Sequence, residues 1–382
     1  MIVAVLGFGT VGVGVYEMLK NTAALEAGPV LVRPGKEDAA FKVSSIAAII
    51  SDPEVGAVAE VMGGTHPAYE YVSAALEAGK HVVTSNKALV AAYGPELARL
   101  AADHNVAFLF SAACGGGVPF LHNIAPAVES DHIRSLGGIL NGTTNFMLDA
   151  MQSRFMSYPD ALAEAQALGY AEADPTADVS GLDALRKIML ACAVAYAQLP
   201  DEGLCREGIE SITAEDVNHF QSKGLTCRLV TSGGLSENGG LFAYIEPVLF
   251  PANAPECSVL KNFNMAKYDG ENSGRIVLMG QGAGRWPTAS AVVRDLCDIL
   301  HGRRIMMKPE CLRVAADNSS CAHSYYVRLP ESEVSRLPVE KAECFEGLAR
   351  VITKPLSVLK MHRIAAELRK EGGSLFFAAL GE

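Results

Sequence analysis

The run Ile2-Val3-Ala4-Val5-Leu6 leads straight into Gly7-Phe8-Gly9-Thr10-Val11-Gly12. The first part predicts a buried strand, and the residues after the glycines predict a helix to about Lys20. This glycine pattern between strand and helix constrains the fold more than any other feature of the chain. Gly7 permits a tight turn, Gly9 lets backbone approach a pyrophosphate, and Gly12 lets the helix pack on the strand. The helix N-terminus then presents unpaired N–H groups to the phosphates. Gly7, Phe8, Gly9, Thr10, Val11 and Gly12 are therefore candidate cofactor-binding residues. The alternative is a glycine turn in some other α/β fold, so the residues downstream must decide.

Downstream, strand and helix patterns alternate. A second strand is expected at 29–33, ending at Arg33, with Lys36 close by. Cations there suit the 2′-phosphate of NADP, whereas an acidic residue would suit NAD; a solvated basic pair in a loop is the other reading. A strand at 57–62 ends in Gly63-Gly64-Thr65, followed by a helix at 67–78. The strand at 81–84 opens into Ser85-Asn86-Lys87, before a helix at 93–104 and a strand at 107–111. This order predicts a parallel, doubly wound Rossmann-like sheet. Lys87 falls past a strand's carboxyl end, where such sheets bind ligands.

The alternation lapses near Ser135, and 382 residues exceed one ordinary domain. A dinucleotide domain is expected over 1–135, joined again by a helix at about 285–305 that follows the glycine turn 280–284. Residues 136–284 would form an α+β substrate and dimerisation domain, and 306–382 a small α+β appendage. The net charge of −11 excludes nucleic acid and anionic membranes as main partners. No apolar run is long enough to span a bilayer, and because Met1 leads directly into an apolar strand, no signal peptide is expected. The nine cysteines are scattered without a Cys-x-x-Cys pair, which fits reduced thiols in the cytoplasm. The histidines show no metal-ligand spacing.

The stretch 169–187 concentrates Glu172, Asp174, Asp178, Asp183 and Lys187. Gly169 and Asp174-Pro175 predict a loop in its first half. A helix is expected from a Ser180 N-cap to Tyr196. That helix is apolar nearly all round and so is buried. Asp183 and Lys187, four apart, share a face at its start. They read either as a structural ion pair or as chemistry at the edge of a core.

Taken together, these motifs resemble the homoserine dehydrogenase family over roughly residues 1–300. The resemblance rests on 7–12, Gly63-Gly64-Thr65, 79–87, Asn141-Gly142-Thr143-Thr144-Asn145, 169–187, and Gly282-Ala283-Gly284 before Pro287-Thr288-Ala289. It implies interconversion of L-homoserine and L-aspartate 4-semialdehyde by hydride transfer, in threonine and methionine biosynthesis. NADP is the implied cofactor, with NAD the alternative, and the substrate is a small molecule. Lys187 and Asp183 would be the catalytic pair, with Lys87 a second proton donor beside the nicotinamide. Glu172 would hold the substrate's amino group, and Asp178, Tyr170, Asn141, Gly142 and Thr143 would complete the substrate site. Gly64, Thr65, Lys87, Arg33 and Gly284 would join the cofactor site. The assembly implied is a homodimer or a homotetramer, and the tail is implied to be a degenerate ACT-like domain.

In one respect the chain departs from the resemblance. The family places a glutamate where this chain has Ser111, in a segment that binds a monovalent cation. The carbonyls of Cys114, Gly116 and Val118 remain, but the anion is gone, so no metal is expected there. Two rivals stand beside this reading. One is a non-catalytic NADP-binding relative, disfavoured by the joint presence of Glu172, Asp183, Lys187 and Lys87. The other is an aldehyde-oxidising dehydrogenase, for which Cys114 is the one candidate nucleophile.

Overall fold

A computed structural model describes residues 1–381. They fold into two compact units, each interrupted in sequence. The first comprises Met1–Ile133, Met189–Leu199 and Gly270–Arg313. Its sheet has six strands, ordered Lys42–Val43, Glu26–Leu31, Ile2–Leu6, Val55–Glu60, His81–Thr84 and Phe108–Leu109. Every pairing is parallel. The first strand is central, and successive crossovers leave it in opposite directions. This is the doubly wound dinucleotide fold, and its ligand crevice lies where the strand order reverses, beyond Leu6 and Glu60.

Near-continuous apolar runs make the central strands, because helices cover both faces of such a sheet. Val3, Ala4, Val5, Leu6, Ala57, Val58 and Ala59 are fully buried. The helix Arg285–Leu300 packs closely on the helix Thr10–Leu19. The contact runs through Gly14, where a Cβ would lie 2.9 Å from Arg285 Cγ and 3.0 Å from Ala289 Cβ.

Two local expectations shift. The second strand ends at Leu31, so Arg33 lies in the loop beyond it. The helix expected from residue 93 starts at Lys87, because the Asn86 side chain caps it by accepting from Leu89 N, and Pro95 is accommodated inside it.

The second unit comprises 134–188, 200–269 and 314–381. Its mixed sheet runs Phe263–Gly270, Ile133–Ile139, Leu225–Leu235, Leu241–Pro251, Phe376–Leu380, Tyr325–Pro330, Leu348–Thr353 and Val339–Phe345. The tail is therefore no separate appendage. Its last strand pairs in parallel with Leu241–Pro251, Val248 opposite Ala379 and Leu249 opposite Leu380. Residues 306–313 group instead with the first unit. The helix Val358–Lys370 covers the tail's strands and buries Met361, Ile364, Ala365 and Leu368 against Tyr325, Val327 and Phe377.

The charged stretch is more structured than its sequence suggests. Thr176–Val179 is a short helix, where a loop is expected, and Ser180 closes it. The long helix runs from Leu182 to Tyr196, entered through Gly181 at φ +79°. That left-handed backbone favours glycine, and it displaces Ser180 from the capping position.

Candidate active site

The crevice of the first unit is built from backbone. Gly7 has φ +101°. A Cβ on Gly12 would lie 2.1 Å from Gly7 O, so strand and helix meet in contact. A Cβ on Gly9 would meet nothing within 4 Å. The backbone there faces open space at the start of the helix Thr10–Leu19, the setting in which a pyrophosphate is bound. A cavity of about 700 Å³ opens from this turn and is lined by Gly7, Phe8, Gly9, Arg33, Lys36 and Lys42. Its size and cationic end fit a dinucleotide.

Lys42 is a residue the sequence reading missed. Its Nζ lies 4.8 Å from the centre of the Phe8 ring and 2.5 Å from Asp38 Oδ1. It reaches the crevice because Lys42–Val43 adds a strand beside Glu26–Leu31, with Lys42 opposite Val30. A two-residue strand leaves no periodic signal in the sequence.

Glu60 was also missed. It is fully buried at the end of its strand. Burial pushes its carboxyl up to about 7, opposed by hydrogen bonds from Thr84 and from Met62 N. Thr84 Oγ1 in turn accepts from Asn86 N at 2.9 Å, and Asn86 Nδ2 donates to Gly64 O at 2.7 Å. This chain of bonds ties the turn Gly63-Gly64-Thr65 to the start of the helix that opens with Lys87. Gly64 has φ +78°, and Thr65 O accepts from Tyr69 N to begin the next helix. Gly284, at φ +118°, caps the helix Arg285–Leu300 in the same unit.

The segment after residue 110 answers the question raised by Ser111. Asp295, fully buried on the helix Arg285–Leu300, faces it. Ser111 N donates to Asp295 Oδ2 at 2.8 Å, and Ser111 Oγ donates to Oδ1 at 2.5 Å. Burial pushes the Asp295 carboxyl up to about 7. Gly117 N donates to Gln281 O at 3.0 Å, and Val118 O already accepts from Phe120 N at 2.8 Å. A Cβ on Gly116 would lie 2.4 Å from Gly282 O, so the loop is packed tightly against residues 281–283. Protein groups thus hold this segment.

The fold also brings His122, Asp295 and Asp298 together, a grouping that no sequence spacing reveals. Asp298 lies 3.0 Å from His122 Nδ1 and 3.4 Å from Arg303, whose guanidinium balances its charge. We assign no metal to it.

The second unit gathers most of the other candidates into one hydrogen-bonded cluster. Asn141 caps the helix Gly142–Arg154, its Oδ1 accepting from Thr144 N. Its Nδ2 donates to Asp178 Oδ1 at 2.7 Å and to Asp183 Oδ2 at 2.8 Å. Thr143 Oγ1 is 3.0 Å from Asp178 Oδ2 and 2.6 Å from Tyr170 O. Lys187 Nζ lies 2.7 Å from Asp183 Oδ2 and donates to Leu140 O at 2.6 Å. Asp183 and Lys187 are 8 % and 7 % exposed, so the pair sits in a largely water-excluded setting. Burial, then the nearby Asp183, raise the Asp178 carboxyl above its usual range.

Gly142 sits where a Cβ would come within 2.7 Å of Asn262 O. The Tyr170 ring meets Phe146 edge-on at 5.2 Å. Glu172 is exposed on its loop, where its backbone carbonyl accepts from Gln166. Lys87 belongs to the first unit and the Asp183–Lys187 pair to the second. A desolvated ammonium fixed by a carboxylate and a carbonyl is equipped to stabilise a developing oxyanion and to give it a proton.

A doubly wound sheet with a glycine turn, an open phosphate cradle and a buried lysine–aspartate pair defines a nicotinamide-dinucleotide-dependent oxidoreductase. The chain belongs to the homoserine dehydrogenase family: the family model described as homoserine dehydrogenase matches residues 119–297, and that of the homoserine dehydrogenase NAD binding domain matches 7–111. It is similar to a homoserine dehydrogenase of Corynebacterium glutamicum, 41% identical over 313 residues, 77% of this chain and 70% of the relative. A homoserine dehydrogenase of a Synechocystis species is 35% identical over 348 residues, 87% of this chain and 80% of that protein. The crystal structure of a homoserine dehydrogenase from Thiobacillus denitrificans superposes with a TM-score of 0.88 at 30% identity, covering 100% of this chain and 98% of that one. The non-catalytic rival is not favoured by these likenesses. Cys114 is fully buried, which leaves no accessible thiol there for the aldehyde-oxidising one. Among the described residues, no helix is long and apolar enough to cross a membrane.

Proposed function

We propose that the protein reduces L-aspartate 4-semialdehyde to L-homoserine with NADPH, as a cytoplasmic homodimer or homotetramer supplying threonine and methionine synthesis. The observation that carries this reading is the buried Asp183–Lys187 pair, held at 2.7 Å within the Asn141–Asp178 network. When bound, the reduced nicotinamide supplies a hydride to the aldehyde carbon. Lys187 stabilises the oxygen that becomes an alkoxide and gives it a proton. Asp183 orients Lys187 and accepts from the hydroxyl of the homoserine formed. Glu172 pairs with the substrate's ammonium group. Asn141 and Thr143 fix Asp178 and Asp183, Tyr170 and Gly142 shape the wall, and Lys87 is the second candidate donor. The backbone of 7–12 cradles the pyrophosphate, with Gly64, Thr65 and Gly284 around it. The test is the initial rate of NADPH oxidation with aspartate 4-semialdehyde, and of NADP reduction with homoserine. No turnover in either direction would refute the reading.

Arg33, with Lys36 and Lys42 on the same cavity, selects NADP through its 2′-phosphate. Arg33→Ala is expected to weaken NADPH binding by about 1–3 kcal/mol, a charge-assisted hydrogen bond, and to leave NADH nearly unchanged. Fluorescence titration with both dinucleotides checks this, and equal weakening of the two would contradict it.

With Ser111 bound to Asp295 and the Val118 carbonyl engaged, the segment 111–118 does without a monovalent ion. Turnover at constant ionic strength is expected to vary less than about twofold between Na⁺, K⁺ and a bulky organic cation, because the one carboxylate facing the segment, Asp295, is already engaged on both oxygens by Ser111. A steep rise with one alkali ion would show that the segment still binds it.

A further inference from the structure

Segment 205–216 of the second unit touches both the tail and the residues that carry the acidic cluster. On one side it holds the turn between the short helix Thr176–Val179 and the helix Leu182–Tyr196. Ile209 N donates to Val179 O at 2.9 Å. Arg206 Nη1 donates to Ser180 Oγ at 2.8 Å and to Ser180 O at 3.2 Å. Gly208 makes the approach possible, because a Cβ there would lie 2.2 Å from Val179 O and 2.7 Å from Ser180 Cα. A Cβ on Gly181 would lie 3.5 Å from Arg206 Cγ and 3.3 Å from Ile245 Cγ2. Residues 179, 180 and 181 are thus all set by this strap, and they join Asp178 to the helix of Asp183 and Lys187.

On its other side the strap is gripped by the tail. Arg369, in the last turn of the helix Val358–Lys370, meets the Glu207 carboxylate as a fork, Nη1 to Oε2 at 2.9 Å and Nη2 to Oε1 at 2.5 Å. Arg328, on the strand Tyr325–Pro330, donates through Nη2 to Ser211 O at 2.7 Å and through Nε to Asp216 Oδ1 at 2.9 Å. Glu207 N also donates to Ile245 O at 2.8 Å, which seats the strap on the sheet. Glu207 is only 5 % exposed, and Arg369 compensates its charge. Burial raises this carboxyl and Arg369 opposes the rise. Without the guanidinium, Glu207 must take up a proton or turn towards water, and the backbone that carries it moves.

We propose that Arg369, acting through Glu207, is a positioning residue for the reaction: the tail sets the geometry of Asp178, Asp183 and Lys187 through the strap. The proposal rests on the reading of Asp183 and Lys187 as the reacting pair. A shift of about an ångström at a proton donor costs up to about 10²-fold in rate. A bidentate arginine fork is not reproduced by lysine, which restores the charge alone.

The test uses the full chain with Arg369→Ala, Arg369→Lys, Glu207→Gln, the Arg369→Ala/Glu207→Gln double variant and Lys187→Ala. The expected result is a kcat about tenfold lower in Arg369→Ala, with NADPH KM unchanged. Glu207→Gln should match it, the double variant should be no slower than the slower single, and Arg369→Lys should recover part of the rate. Arg369 is 43 % exposed, so its truncation leaves no core cavity, and dinucleotide titration counts the folded enzyme. Unchanged kcat in Arg369→Ala, losses that multiply in the double variant, or a loss matched by the loss of titratable enzyme would each overturn the proposal. If Lys187→Ala also keeps its rate, the reading of the pair fails. If Lys187→Ala is inactive while Arg369→Ala is normal, only the positioning role fails.

Discussion

Lys187→Ala is expected to turn over about 10²–10⁴-fold more slowly than the parent enzyme, with much smaller changes in substrate KM and NADPH affinity. The side chain sits 2.7 Å from Asp183 and 2.6 Å from Leu140 O at 7 % exposure, a place water does not readily refill. Removing it takes away both the charge that stabilises the alkoxide and the proton that neutralises it. The same change leaves Asp183 buried without its cation, which costs roughly 3–5 kcal/mol of stability. Kinetics must therefore be normalised to folded enzyme. Asp183→Asn/Lys187→Met, which removes both charges, should regain stability and remain inactive. Near-normal turnover in a folded Lys187→Ala enzyme would move the proton donor to Lys87.

The glycine turn gives the second large effect, and it separates packing from binding. In Gly12→Ala the new Cβ would lie 2.1 Å from Gly7 O, an atom of the strand–helix turn itself. No flexible group can yield, so stability should fall by more than about 3 kcal/mol, or folding should fail. In Gly9→Ala the new methyl meets nothing within 4 Å, and the backbone, at φ −83° and ψ −161°, is extended. That variant should melt within about 1 °C of the parent without ligand. Its NADPH affinity should nonetheless drop by about tenfold or more, because the methyl occupies the space where the pyrophosphate approaches. Thermal melts with and without NADPH report both effects. Unaltered NADPH affinity in Gly9→Ala would place the phosphates elsewhere.

The first unit was legible because its central strands, Ile2–Leu6 and Val55–Glu60, are buried almost throughout and read as apolar runs, with Gly7 and Gly63 following them. What was lost there is short or long-range. Lys42–Val43 is too brief to show a period, and the start of the helix at Lys87 depends on the Asn86 cap outweighing Gly94-Pro95. Asp295 is 184 residues from Ser111, nearly half the chain, and only the fold joins them.

The second unit was less legible. The strand Leu225–Leu235 carries a buried Arg228 and a Gly233-Gly234 pair, which break alternation. The tail was set apart because its strands resemble a small domain of their own. Their pairing with Leu241–Pro251 is a tertiary fact with no local signal. Asp183 and Lys187 were visible as a helical i, i+4 pair. That Asn141 bridges Asp178 and Asp183 was not, because it depends on how the turn at 140–142 enters its helix.

The central claim is a hydride transfer to an aldehyde carbon, with the proton supplied by the protein. It is tested most directly by mass spectrometry of the product formed from aspartate 4-semialdehyde and NADPH deuterated at the transferring position of C4. The account predicts homoserine one mass unit heavier, with the deuterium on the hydroxyl-bearing carbon, and formed at negligible rate by Lys187→Ala. Unlabelled homoserine, or no conversion of the semialdehyde by folded, dinucleotide-saturated enzyme, would contradict it.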